Sequence, residues 1–266
     1  MRLLGAIGVP VETRWRDLDF VARQCIHFDA ESQGKAQWLI KTPDFSAWMR
    51  DRQSSILLAD GATTGHILLV SPMSGLCGAL ASEFSDEDGG TITLVFFAGL
   101  HVGTDRKDRN LDGPQGLMRS LVAQLLGSSL SSPNLDFLTH EDLEEYRRHN
   151  IRSLCQLFVR LVEQMPPGTD IFCILDGISW YEQHPWLAEL KCVTSMFEKL
   201  AENLDPSHAA ILKVIMTSHG TSTKIVHRAR ATRNLKGQIW RHVSLAAGHV
   251  HPGIDNIANL QRTRQI

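Results

Sequence analysis

Short, unbroken apolar runs that stop on a polar residue or glycine constrain this chain more than any other feature. They read "SSILLADG", "HILLV", "GGTITLVFFAG", "DIFCILDG" and "AAILKVIMTSHG". Runs of this length without polar alternation fit strands covered on both faces. Segments with helical spacing lie between them. Leu117, Leu121, Val122 and Leu125 mark one face, and Leu154, Leu157, Phe158, Leu161 and Val162 mark another. A third helix is expected from about Trp186 to Leu204, and Pro72 suits the first turn of a fourth. Residues 14–35 read as one helix and "PDFSAWMRDR" as a short one. Strands alternating with amphipathic helices predict an α/β fold of three layers, a mostly parallel sheet with helices on both faces.

Ligands of such sheets bind beyond the carboxyl ends of the strands. The residues to watch are therefore Asp60-Gly61, Ser71 to Cys77, Ala98-Gly99, Asp176-Gly177 and Thr217 to His219. Charge narrows the partners. A net charge of -2 gives no electrostatic grip on nucleic acid or an anionic membrane. No stretch reaches the ~18 apolar residues of a membrane helix, and "MRLLGAIGVPVE" lacks the pattern of a signal peptide. The cysteines are odd in number and scattered (Cys25, Cys77, Cys155, Cys173, Cys192). They read as free thiols of a reducing compartment, so a cytoplasmic protein is expected.

Taken in order, four stretches resemble the NACHT-type P-loop ATPase core of STAND signalling proteins, in its divergent fungal form. "KAQWLIKTPDFSAWM" resembles the lead-in with its F-x-x-W pair. "ITLVFFAGLH…GPQGLMRSLVAQLL" resembles the double-phenylalanine strand and the R-S-L-x-x-Q-L-L helix. "IFCILDGISWYE" resembles the Walker B strand, and "LKVIMTSHG" resembles a sensor strand that in the family ends on arginine. The resemblance implies a lead-in at 1–34, a P-loop NTPase-like core at 35–220 and an extension at 221–266 with one extra strand in "QIWRHVSLAA". It implies that Asp176 contacts magnesium through water and that Glu182 orients an attacking water. A strand-ending Asp-Gly turn with a solvent-facing glutamate is the plain alternative for those residues.

A working phosphate loop reads G-x-x-x-x-G-K-[ST]. Two placements are open. From Gly61 the chain runs "GATTGHIL", which puts His66, Ile67 and Leu68 at the closing positions. After "HILLV" it runs "SPMSGLCGALASEF", where Pro72, Ser74 and Gly75 match, Leu76 takes the lysine position and Cys77 the hydroxyl position. The second placement has the better spacing to the helix. Either way a cation is lost, and a charge-assisted contact to phosphate contributes roughly 1.5–3 kcal/mol. His219 stands where the family has arginine. These departures point to a pseudo-NTPase: a non-catalytic or very weakly nucleotide-binding module acting in protein interaction or regulation, as a scaffold. It would need no cofactor, would work with unidentified protein partners, and is open to oligomerisation. The alternative is an active signalling NTPase that binds Mg-ATP or Mg-GTP through an atypical loop.

Other chemistry has weaker support. Arg106, Lys107, Arg109 and Arg119 are cations that a phosphate could recruit, but a solvated loop and an exposed helix face are the favoured reading of them. His242, His249 and His251 lack the partners of a zinc site. Cys77, at a helix N-terminus, is expected to have a lowered thiol pKa. The basic run "VHRARATRNLK" reads as a solvated face.

Overall fold

The computed structural model describes residues 2–61, 69–85, 90–102, 110–130, 132–205, 209–219, 224–225 and 239–245. His66 to Leu68 of "HILLV", Arg106, Lys107, Arg109, the basic run at 226–236, His249 and His251 lie outside them. The described end of "HILLV", Leu69-Val70, is a bend and not a strand.

Five strands form one parallel sheet: β1 (Ser55–Asp60), β2 (Thr91–Phe97), β3 (Asp170–Asp176), β4 (Ile211–Ser218) and β5 (Trp240–Ser244). Their order is β2-β3-β4-β1-β5, every pairing being parallel. β5 is the strand expected in "QIWRHVSLAA". From β1 the chain crosses to β2 on one side, and from β4 it crosses to β5 on the other. The connections diverge at β1 and β4, which is where doubly wound sheets open a crevice.

The strand side chains alternate between two cores, as the pleat requires. Ile56 and Leu58 point to one layer with α1 (Arg2–Ile7), α6 (Gly113–Leu126), α7 (His140–Arg147), α8 (Ile151–Val162) and α9 (Leu187–Asn203). Leu57 and Ala59 point to the other, with α2 (Thr13–Cys25), α3 (Ala30–Trp38), α4 (Pro43–Arg50) and α5 (Pro72–Phe84). The expected helix over 14–35 is two helices. The break lies at Ile26 to Asp29, because the Asp29 carboxylate accepts the Ser32 N–H at 2.7 Å and starts α3.

The F-x-x-W pair sits on α4 with its rings 5.6 Å apart and both side chains buried. Trp48 holds α4 to the sheet: its Nε1 donates to Ser55 O at 3.3 Å, and its carbonyl accepts from Lys213 Nζ at 2.9 Å. The outer edge of β2 is covered by side chains. Gln124 of α6 accepts from Val95 N at 2.9 Å and donates to Val95 O at 2.8 Å, and Arg14 of α2 donates to Thr93 O at 3.0 Å. Gln124 thus takes the place of a missing neighbour strand.

Candidate functional site

The connection from β1 enters α5 through Ser71 and Pro72. Ser71 Oγ accepts the Ser74 N–H at 3.2 Å, and Ser74 Oγ accepts the Ser71 N–H at 2.9 Å, a reciprocal capping box. Pro72 fits the first helical position because no N–H is needed there. The first placement of the phosphate loop, from Gly61, falls in this β1-to-α5 connection, of which residues 62–68 are outside the described residues, whereas the second, Pro72 to Cys77, forms the first turns of α5 itself.

The capping box aims the Ser74 hydroxyl at the end of β3. Ser74 Oγ donates to Asp176 Oδ2 at 2.6 Å, and Thr217 Oγ1, from β4, donates to Asp176 Oδ1 at 2.6 Å. Thr217 Oγ1 in turn accepts the Gly177 N–H at 3.0 Å. Cys77, one turn beyond Ser74, is buried beside Asp176 and Thr217. Asp176 is 1% exposed. Each of its oxygens therefore already accepts a short hydrogen bond from the protein.

Cys77 corrects an expectation. Its thiol pKa is pushed well above the ordinary value, first by burial and then by the Asp176 charge, while the Thr217 hydrogen bond works the other way. The helix N-terminus is outweighed because the thiolate would be desolvated beside a carboxylate.

Leu76, at the lysine position, is 4% exposed and packs in the α2–α5 core. Gly75 is covered by α2: a β-carbon there would lie 2.6 Å from Cys25 Sγ. One turn further, Gly78 faces Val21 and Leu18 of the same helix. On the other side, Gly99 after β2 lies under the Leu69 carbonyl, which would come within 2.1 Å of an added β-carbon. Cys25 of α2 and the Leu69 carbonyl thus stand close to Gly75 and Gly99 respectively.

The remaining candidates are spread around this centre. His219 is 5% exposed, edge-on to Trp180 with ring centroids 6.2 Å apart, and beside Gly177, which holds a left-handed φ of +69°. Glu182 follows the short 3-10 turn at Ile178–Tyr181, and its Oε1 accepts the Ile225 N–H at 3.1 Å. His242 pairs through Nε2 with Asp60 at the end of β1, at 2.8 Å. No group of three or more metal-ligating side chains occurs among the described residues.

Arg119 also corrects an expectation. It is neither solvated nor at the Asp176 centre but 2% exposed, donating to Tyr146 O at 3.1 Å, with burial lowering its pKa to about 10. Two residues have structural roles that the sequence motifs do not show. Lys213 interrupts the apolar β4 run and is buried, and Gln124 interrupts the apolar face of α6. A polar residue within a buried run was the available signal for both.

The lysine position is aliphatic, the hydroxyl position is a buried thiol, and the carboxylate is bridged between Ser74 and Thr217.

A family profile described as "Nephrocystin 3, N-terminal" matches residues 34–219. The span runs from within α3 to just beyond β4 and includes the whole Asp176 network, in agreement with the NACHT-type resemblance. No curated protein and no solved structure matches the chain.

Proposed function

Because this chain belongs to the nephrocystin 3 N-terminal family, a NACHT-associated group, we propose that it is a pseudo-NTPase module acting in protein interaction and regulation. The observation that carries this reading is the Ser74–Asp176–Thr217 bridge. A carboxylate that served magnesium would need an oxygen turned to bound water. Here both oxygens are engaged by hydroxyls. Leu76 gives no charge to a γ-phosphate, and His219 replaces a fixed cation with an imidazole. The three-layer core then serves as a scaffold whose surfaces engage a protein partner or a second copy. Neither Mg-ATP nor Mg-GTP is needed, and a charge of -2 gives nucleic acid no purchase. Among the described residues no helix is long and apolar enough to cross a membrane. We place the protein in the cytoplasm, a reading supported by five free cysteines.

The test is thermal denaturation with Mg-ATP, Mg-GTP and the corresponding diphosphates. A ligand that binds only the folded form raises its melting temperature. The expected result is no shift with any of them. A shift of several degrees that Asp176→Asn removes would overturn the proposal and favour an active NTPase with an atypical loop.

A further inference from the structure

A cavity of about 350 Å³ lies between α2, α3 and the first two turns of α5. That volume falls within the roughly 300–1,000 Å³ of small-molecule sites. Ile26, Phe28, Leu76 and Ala79 supply apolar walls, and Gln33, Gln37 and Cys25 supply the polar atoms. Among the described residues that line it, none carries a charge. The Gln33 amide nitrogen is turned to the Cys25 and Phe28 carbonyls at 3.2 and 3.0 Å. Ile26 stands at the rim, 79% exposed.

We propose that this cavity binds an uncharged, largely apolar small molecule, wedged between the N-terminal helices and α5. The wall itself argues for that class. Phosphates and carboxylates would lose their hydration to apolar carbon with no cation among the described lining residues in return. An uncharged ring system loses little and removes apolar surface from water at about 25 cal/mol per Å². Leu76, which denies charge to a phosphate, is one of the walls. The ligand touches α2 on one side and α5 on the other. Occupancy therefore holds α2 on the core, and α2 lies ahead of the family-matched span.

The probe for the test is 1-N-phenylnaphthylamine, a neutral apolar fluorophore, added to the full chain. Saturable one-to-one binding is expected, with enhanced and blue-shifted emission. N-ethylmaleimide labelling of Cys25, read by peptide mass spectrometry, is expected to slow about tenfold at saturation. Cys192, half-buried and packed against the opposite core, is the internal reference and keeps its rate. Ala79→Phe fills the cavity from α5 and Ala22→Phe from α2. Each is expected to weaken the probe about tenfold or more with an unchanged circular dichroism spectrum. Two walls are used so that a folding defect in one variant leaves the other decisive. Absent or unsaturable binding, binding that survives both substitutions, or unprotected Cys25 overturns the proposal. The pseudo-NTPase reading, on which this proposal does not depend, fails separately on a nucleotide-induced thermal shift.

Discussion

Ser74 Oγ and Asp176 Oδ2 meet at 2.6 Å across 102 residues of chain. Their bond joins the start of α5 to the end of β3, and Thr217 brings β4 to the same carboxylate. An anion at a helix N-terminus is favoured by the aligned peptide dipoles. Here the chain supplies that anion itself, from a residue 1% exposed to solvent.

Ser74→Ala is expected to destabilise the fold by about 1–3 kcal/mol, the usual cost of leaving a buried charged acceptor short of a donor. Asp176→Asn keeps one acceptor oxygen and puts a donor amide where the other hydroxyl donates, and it falls in the same range. Urea denaturation of both single variants and the double variant checks the coupling. The double variant should lose less than the sum, since the residues share one bond. Strict additivity would mean that the pair is not coupled.

Leu76→Lys with Cys77→Ser rebuilds the letters of a phosphate loop, and no nucleotide binding is expected from it. Cys25 still covers Gly75, and Leu76 occupies an apolar core in which an ammonium is desolvated. Stability should fall by about 2–5 kcal/mol, the range for disrupting a packed leucine. Calorimetry with Mg-ATP and a denaturation curve on the same sample check both halves.

Gln124→Leu leaves the Val95 N–H and C=O on the outer edge of β2 without partners. Two lost hydrogen bonds at about 1 kcal/mol each set the destabilisation near ~2 kcal/mol. An uncovered edge also pairs with other chains. Size-exclusion chromatography should show species larger than those of the wild type, and a profile unchanged from the wild type would contradict the edge-covering role.

Lys213 predicts a pH dependence. Burial lowers its pKa from 10.5 to about 8, with Asp51 and Asp170 opposing the shift. Between those values the unfolded chain binds a proton that the folded chain lacks, so this lysine makes stability rise with pH across about 8 to 10.5, by about 3 kcal/mol. The buried thiols of Cys77 and Cys173 act in the opposite direction above about pH 9, because burial raises their pKa values. The lysine contribution is isolated by comparing wild type with Lys213→Met. The wild-type stability should gain about 3 kcal/mol on the variant's over this window. Parallel pH profiles for the two proteins would contradict it.

Some of the site was legible before folding was considered. The apolar runs around Leu57, Val95, Ile174 and Ile215 are strands of one parallel sheet. The period of Leu154, Leu157, Phe158 and Leu161 is the buried face of α8. Asp176 and Ser74 stood out because strand ends and helix starts concentrate polar groups at one edge of such a sheet. The loss of lysine at Leu76 is a matter of letters, and needs no coordinates to read.

What the amino-acid order determined by itself was local: which segments bury apolar surface, with what period, and which residue types stand at the strand ends. Tertiary structure decided the rest. Arg119 is buried because α1 packs on α6 and its guanidinium donates to Tyr146 O of α7, and Cys77 resists ionisation because it is buried with Asp176, far away in sequence, beside it. Cys25 closes Gly75 because α2 folds back onto α5, a contact between segments fifty residues apart. Hydrophobic period is a property of neighbours in the chain, whereas desolvation and charge are sums over neighbours in space. For Asp176 the spatial neighbours are Ser74, Cys77 and Thr217, and they give the carboxylate its partners.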